Sequence, residues 1–190
     1  MKKAIFLVVL TLLGANVIYA QGETSSSSVS WGVAAGVNFS GVMGDDVDNV
    51  DSRTGLYVGG VVNIGISELF SVQPEVKYSM RGWKDGEFTI KIDYVDIPVM
   101  ADFEVVDGLS LQGGPLIGIN LSAKVEDDDG DETDIDNIST LNAGIAIGAQ
   151  YELPVGVFFN IRYDMGFNDV IDNNFSAKNC NLGGGVGFFF

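Results

Sequence analysis

Apolar and polar side chains alternate in eight segments of this 190-residue chain, and this alternation is its most constraining feature. A period of two places successive side chains on opposite faces of a β-strand, whereas an amphipathic helix repeats every 3.6 residues. The sequence contains no amphipathic helical stretch of useful length. The pattern therefore predicts an all-β fold with strands at residues 31–39, 56–66, 70–81, 94–105, 109–121, 141–151, 157–167 and 180–190.

The predicted links between these strands alternate in length. Short turns are expected near residues 67–69, 106–108 and 152–154, and longer polar loops at 41–54, 82–91, 123–137 and 168–178. This order is typical of an eight-stranded antiparallel up-and-down transmembrane β-barrel, with short periplasmic turns and longer outer loops. We expect the 123–137 loop to be the most mobile segment, because it contains eight acidic residues and only one base, Lys124. Like charges at this density repel one another and resist packing.

The polar faces of the predicted strands carry mostly Gly, Asn, Gln and Ser, with few lysines. Small polar side chains suit the interior of a narrow barrel whose apolar face meets lipid, whereas a water-exposed strand face is usually richer in Lys and Glu. Aromatic residues near the strand ends are expected to form the two interfacial girdles of such a barrel. They are Trp31, Phe70, Phe103, Tyr151 and Phe190 at the turn end, and Phe39, Tyr78, Trp83 and Phe167 at the loop end. The alternative is a soluble secreted ligand-binding β-barrel, in which the apolar face points inward.

The first twenty residues have the layout of a secretory signal peptide. Lys2 and Lys3 precede an apolar run that is too short to span a membrane, and the run ends at a small residue, Ala20. We therefore predict cleavage between Ala20 and Gln21. Residues 21–30 are polar and serine-rich and are expected to be a flexible stub, which leaves 31–190 as one barrel domain.

Charge and composition exclude several classes of function. The net charge of −16 opposes nucleic-acid binding, which needs a basic surface. The chain has no histidine, which excludes Ser-His-Asp and Cys-His catalytic sets and any zinc site that contains histidine. Its single cysteine cannot form an internal disulfide. We expect neither catalysis nor a cofactor.

The acidic run at residues 126–134 invites two chemical interpretations. Asp127, Asp129 and Asp131 form a weak candidate for calcium, because hard cations require several carboxylate oxygens together. The spacing does not match an EF-hand, since Val125 stands where the first ligand would be. An acid–base pair of Asp127 and Asp129 is conceivable, but a solvated charge run is the simpler explanation.

Charged residues also occur on the polar faces, where a narrow barrel would bury them. Charges confined in a low-dielectric interior must pair or change protonation, and an eight-stranded barrel is only wide enough for its own side chains. We therefore predict a plugged interior with cross-barrel ion pairs such as Glu75 with Arg162, and not a small channel. The network is expected to use Glu75, Lys77, Arg81, Asp96, Arg162 and Asp164, with Asp102 and Glu104 on the same face.

Short motifs along the chain resemble the PorT-like outer-membrane β-barrel family of Bacteroidota. They are Gly36-Val-Asn-Phe-Ser40, Gln73-Pro-Glu75, Tyr78-Ser79, Arg81-Gly82, Tyr94-x-x-Ile97-Pro98, Gly114-Pro115 and Arg162-Tyr163. The resemblance implies the barrel fold and the outer membrane, but little about activity. The member that names the family assists a protein secretion system, so a role as an accessory factor of such a system stays an alternative.

These observations together predict a small non-catalytic outer-membrane barrel with a structural or interaction role and acidic extracellular loops. Its expected partners are outer-membrane lipid and the barrel insertion machinery, which would read the C-terminal strand ending at Phe190. We expect a monomer. The sequence identifies no specific protein partner.

Overall fold

The computed structural model describes residues 28–44, 50–127, 129–135, 138–170 and 177–190. The predicted leader and most of the predicted stub lie outside these residues, and the first strand begins at Val29, two residues before the expected domain start. The strands are β1 (Val29–Met43), β2 (Asp51–Gly65), β3 (Phe70–Asp85), β4 (Phe88–Val106), β5 (Leu109–Glu126), β6 (Glu132–Asp134), β7 (Leu141–Glu152), β8 (Val157–Asp169) and β9 (Lys178–Phe189). In the part of the chain described, no helix is long and apolar enough to cross a membrane.

Eight of the nine strands close into a ring. Within the ring, consecutive strands pair with each other, β5 pairs with β7 because β6 lies outside the ring, and the ring closes where β1 pairs with β9. All of these pairings are antiparallel. The prediction of an eight-stranded antiparallel up-and-down barrel is confirmed. The ninth strand, β6, is short and pairs with the end of β5 outside the ring.

The short links define one end of the barrel, which we call the turn end. They lie at residues 66–69, 107–108 and 153–156, close to where they were predicted. Gly108 and Gly156 have φ angles of 76° and 84°, a backbone conformation that glycine adopts without steric cost. The first and last strands also meet at this end, where the Phe190 amide donates a hydrogen bond to the Trp31 carbonyl.

All four predicted outer loops are too long, because strands extend into each of them, and two of these segments form β-hairpins. The segment 82–91 is a hairpin, because β3 continues to Asp85 and β4 starts at Phe88, with a turn at Gly86 and Glu87. In the segment 123–137, β5 continues to Glu126 and β6 pairs back onto it. The physical reason is that the strand periodicity of two continues past the predicted strand ends. The Ile90 side chain, for example, still points into the barrel and packs against the apolar cluster there.

The apolar faces of the strands point away from the barrel axis. Val33, Ile147 and Ile161 are each at least half exposed, whereas the polar residues of the opposite face are buried. A soluble ligand-binding barrel would have the reverse arrangement, since water would then cover the polar face. The outward apolar surface is the arrangement that a lipid environment stabilises.

Candidate functional site in the barrel interior

The buried charges of the interior come from three strands. β3 supplies Glu75, Lys77 and Arg81, β4 supplies Asp96, and β8 supplies Arg162 and Asp164. Their alternation with the outward apolar residues places these side chains inside the ring, where each is at most 8% exposed. The structure thus places all six residues of the predicted network in the interior.

The first ion pair crosses the barrel between β3 and β8. Arg162 donates from Nη1 to Glu75 Oε2 at 2.7 Å and from Nη2 to Glu75 Oε1 at 2.9 Å. Gln73 Nε2 also donates to Glu75 Oε1 at 2.9 Å, and Lys77 Nζ lies 3.5 Å from Glu75 Oε2. The two-pronged guanidinium–carboxylate contact has the geometry of a strong charge-assisted interaction. This is the pair that the sequence analysis named.

The second ion cluster joins β3, β4 and β8. Arg81 Nη2 lies 2.6 Å from Asp96 Oδ2 and 3.0 Å from Asp164 Oδ2. Asn181 Nδ2 donates to the same Asp164 oxygen at 3.1 Å. The Arg81 guanidinium also lies 5.7 Å from the centre of the Tyr94 ring. Arg81 therefore bridges Asp96 and Asp164, and its contact with Asp164 links β3 to β8, which are not neighbours in the ring.

The two remaining charged residues of the predicted polar face, Asp102 and Glu104, form no ion pair with the described residues. Asp102 is buried and accepts a hydrogen bond from Gln112 Nε2 at 2.9 Å, and the Gln112 carbonyl in turn accepts one from Arg162 at 2.7 Å. Glu104 is only partly buried, and its carboxylate accepts a hydrogen bond from the Gly108 amide in the adjacent turn. Glu104 therefore belongs to the turn end and not to the central network.

An apolar cluster fills the interior between these ion pairs and the loop end of the barrel, which is opposite the turn end. It consists of Val42, Trp83, Ile92, Tyr94, Ala123, Val170 and Ala177, with Val50, Ile90, Ile135 and Ile138 packed against it. The placement of Trp83 in a lipid-facing girdle is therefore wrong, since its side chain is only 7% exposed. Strict alternation contains the signal that would have found it, because Trp83 has the same odd-numbered phase as Gln73, Glu75 and Arg81.

A second apolar cluster lies inside near the turn end. Phe158 and Phe189 stack with their ring centres 4.6 Å apart and pack with Val61. Both rings lie on the face of their strands that points into the barrel. The alternation pattern predicts that this face is polar along its whole length. The ion pairs therefore lie between two apolar clusters. Their charges neutralise one another, so the arrangement holds strands together across the barrel.

Glycines make room for the side chain of Tyr57 between the strands that close the ring. A Cβ atom on Gly36 or Gly185 would collide with the Tyr57 ring or its hydroxyl. The hydroxyl donates to Asn160 Oδ1 at 2.8 Å. Glycine at these interior positions thus allows close packing of the Tyr57 ring against the two strands.

Comparison with known proteins gives the affiliation of the chain. A family of proteins described as "Outer membrane protein beta-barrel domain" matches residues 19–172. The chain belongs to this family. No curated protein sequence matches it.

Several solved structures that resemble this member of the family are outer-membrane barrels. The Neisserial surface protein A superposes with a TM-score of 0.64 at 16% identity, over 86% of this chain and 99% of that chain. The attachment invasion locus protein Ail of Yersinia pestis gives 0.55 at 16% identity, over 86% and 99%. A major outer membrane protein of Thermus thermophilus gives 0.51 at 14% identity, over 86% and 100%. At these identities the likeness shows the fold, and together with the family it supports an outer-membrane location.

The acidic run of this family member is partly organised by hydrogen bonds. Asp127 Oδ1 accepts from the backbone amides of Asp129 and Asp131, at 3.1 and 2.9 Å. Glu132 accepts from Lys124 at 2.6 Å and from Lys91 at 2.9 Å, and these hydrogen bonds lower the pKa of Glu132 to about 2. Among the described residues, no group of three or more His, Cys, Asp or Glu side chains is placed to hold a metal ion.

Proposed function

We propose that this protein is a non-conducting, non-catalytic barrel of the outer membrane with a structural or interaction role. The observation that carries the proposal is the packed interior, in which ion pairs between β3, β4 and β8 lie between two apolar clusters. An eight-stranded barrel of this kind leaves no continuous water-filled path, because its own side chains occupy the centre. The lipid-facing apolar surface then anchors a rigid scaffold.

The orientation and maturation of the scaffold are part of the proposal. The loop end, with its charged β5–β6 hairpin, faces the outside, and the turn end faces the periplasm. Cleavage after Ala20 releases the leader, and the terminal strand ending at Phe190 is read by the barrel insertion machinery. The motifs described above support a PorT-like relationship within Bacteroidota. The protein functions as a monomer.

Planar-bilayer recording on the purified protein tests the central claim. We expect no steady conductance from the native sequence, measured beside a porin of known conductance as the positive control. Steady open-channel current would contradict the packed interior. Fractionation is the companion test: the mature protein should require detergent for extraction and show heat-modifiable gel mobility. Recovery in a soluble fraction without detergent would overturn the membrane assignment.

Protease treatment of intact cells tests the orientation. The exposed turn at Asp129 and Gly130 should be cut first, because it projects beyond the barrel at the loop end. Cutting at 106–108 in intact cells, with the hairpin intact, would mean that the topology is inverted.

A further inference from the structure

The buried charges of the interior form two sets that differ in net charge. The charges of the first set sum to zero, and its members, joined by ion pairs and by the hydrogen bonds of Gln112, are Lys77, Arg162, Glu75 and Asp102. The second set, Arg81 with Asp96 and Asp164, contains one base and two acids and has a net charge of −1. A buried net charge is costly unless a counter-charge lies beside it.

Each carboxylate of the second set has one oxygen in contact with Arg81 and one oxygen without a partner. The Arg81 guanidinium contacts Oδ2 of Asp96 and Oδ2 of Asp164. Both Oδ1 atoms are buried and accept no hydrogen bond from any described residue. Asp96 is 0% exposed and Asp164 is 3% exposed, so bulk water does not reach these oxygens. The excess negative charge therefore coincides with two buried oxygens that lack a donor.

A third buried polar side chain, Asn142 of β7, also lacks partners. It is 2% exposed, and neither its amide oxygen nor its amide nitrogen has a hydrogen-bond partner among the described residues. Buried amides are normally hydrogen-bonded, because leaving them unpaired costs free energy. Asn142 is therefore an observation independent of the charge balance, and it indicates that a ligand completes its contacts.

Two glycines bring the Asn142 amide close to the carboxylates. Gly118 of β5 pairs in register with Asp96 on one side and with Asn142 on the other. A Cβ atom on Gly118 would lie 2.8 Å from Asp96 Oδ1 and 3.4 Å from Asn142 Cβ. A Cβ atom on Gly166 would lie 2.7 Å from Asn142 Oδ1, and Gly166 follows Asp164 on the same face of β8. The three side chains thus face one region of the interior, between β4 and β8.

We propose that Asp96, Asn142 and Asp164 bind one monovalent alkali cation, such as Na⁺, inside the barrel. Carboxylate and amide oxygens are the ligands that hard cations take in proteins. The charge selects a monovalent ion, because one positive charge neutralises the Arg81 set, whereas a divalent ion would leave it positive. Apolar clusters lie on both sides of the ion pairs, so the cation is held in a closed interior and is not conducted.

Urea unfolding of the full chain in detergent micelles, followed by tryptophan fluorescence, tests the proposal. Each sample is refolded and then unfolded in NaCl or in N-methyl-D-glucamine chloride at the same ionic strength, so that general screening of surface charge is equal. A ligand bound only by the folded state stabilises it by mass action. The unfolding equilibrium constant should therefore fall about tenfold for each tenfold rise in Na⁺ above the dissociation constant. Equal unfolding constants in the two salts would overturn the proposal, and this is the result expected if a proton neutralises one carboxylate instead.

Variants locate the effect of Na⁺. Asp96→Asn keeps an oxygen for Arg81 and makes the set neutral without an ion, so its unfolding should not depend on Na⁺. The matched control is Glu104→Gln, which removes the same charge from the same strand near the turn end and should respond to Na⁺ as the wild type does.

A second variant keeps the test decisive if Asp96→Asn loses heat-modifiable mobility and so does not fold. Asn142→Leu replaces the partnerless amide by an apolar side chain of similar size and leaves every charge in place. It should weaken Na⁺ binding at least about tenfold. A wild-type response to Na⁺ in either folded variant, or loss of the response in Glu104→Gln, would show that the cation acts elsewhere and would overturn the site.

Discussion

Replacing Arg162 by methionine removes the cation of the cross-barrel pair and keeps a side chain of similar length. Arg162 is 4% exposed and donates two hydrogen bonds to Glu75 and one to Gln112. In the variant, Glu75 keeps only Lys77, whose Nζ lies 3.5 Å away, and the amide of Gln73. A buried carboxylate then loses its main counter-charge.

The expected loss in the free energy of unfolding is about 3–5 kcal/mol, the cost of breaking a buried pair by removing one partner. Protonation of Glu75 would relieve part of this cost. An exposed ion pair stabilises a protein by only about 0–1 kcal/mol, so a loss of several kcal/mol would show that the Glu75–Arg162 pair is buried. The triple variant Glu75→Gln, Lys77→Met, Arg162→Met should recover most of the loss, because it removes all three charges of the cluster and leaves none of its ions unpaired.

Urea unfolding in detergent micelles, followed by tryptophan fluorescence, measures these free energies. Heat-modifiable gel mobility checks that each variant still forms the barrel. A loss below about 1 kcal/mol for the single variant would refute the buried-pair argument. So would a triple variant that is no more stable than the single one.

Three further predictions address packing and charge. Gly185→Ala should destabilise the barrel by about 1–3 kcal/mol, because the new methyl group collides with Tyr57, and gel-shift unfolding should show the loss. The pKa of Glu132 is about 2 in the folded hairpin and 4.5 ordinarily, so the carboxylate stabilises the hairpin fully above about pH 4.5 and this stabilisation is lost as the pH falls toward 2. Side-chain NMR titration measures the pKa of Glu132, and a midpoint near 4.5 would contradict the prediction. Trp83→Ala should cost about 3–5 kcal/mol in urea unfolding, whereas the lipid-facing Trp31→Ala should cost much less, and equal losses would place Trp83 at the lipid surface.

The alternation of side chains was sufficient to predict the strand number, the antiparallel order and the outward apolar face. A period of two is a local property, and each segment shows it without reference to the others. The same periodicity placed Glu75 and Arg162 on the interior face, so the members of the charge network could be predicted from the sequence. The outer ends of β3, β4 and β5 could not, because polar residues in the 82–91 and 123–137 segments resemble loop residues until their partner strands are known.

What the sequence by itself determined is therefore which face of each strand each residue occupies, together with the composition that excludes histidine-dependent chemistry. Only the tertiary structure decided which interior residues meet, because contacts across the barrel depend on the register and stagger of eight paired strands. That register brings Arg81 between Asp96 and Asp164, and it gathers Trp83 and Phe158 into interior clusters.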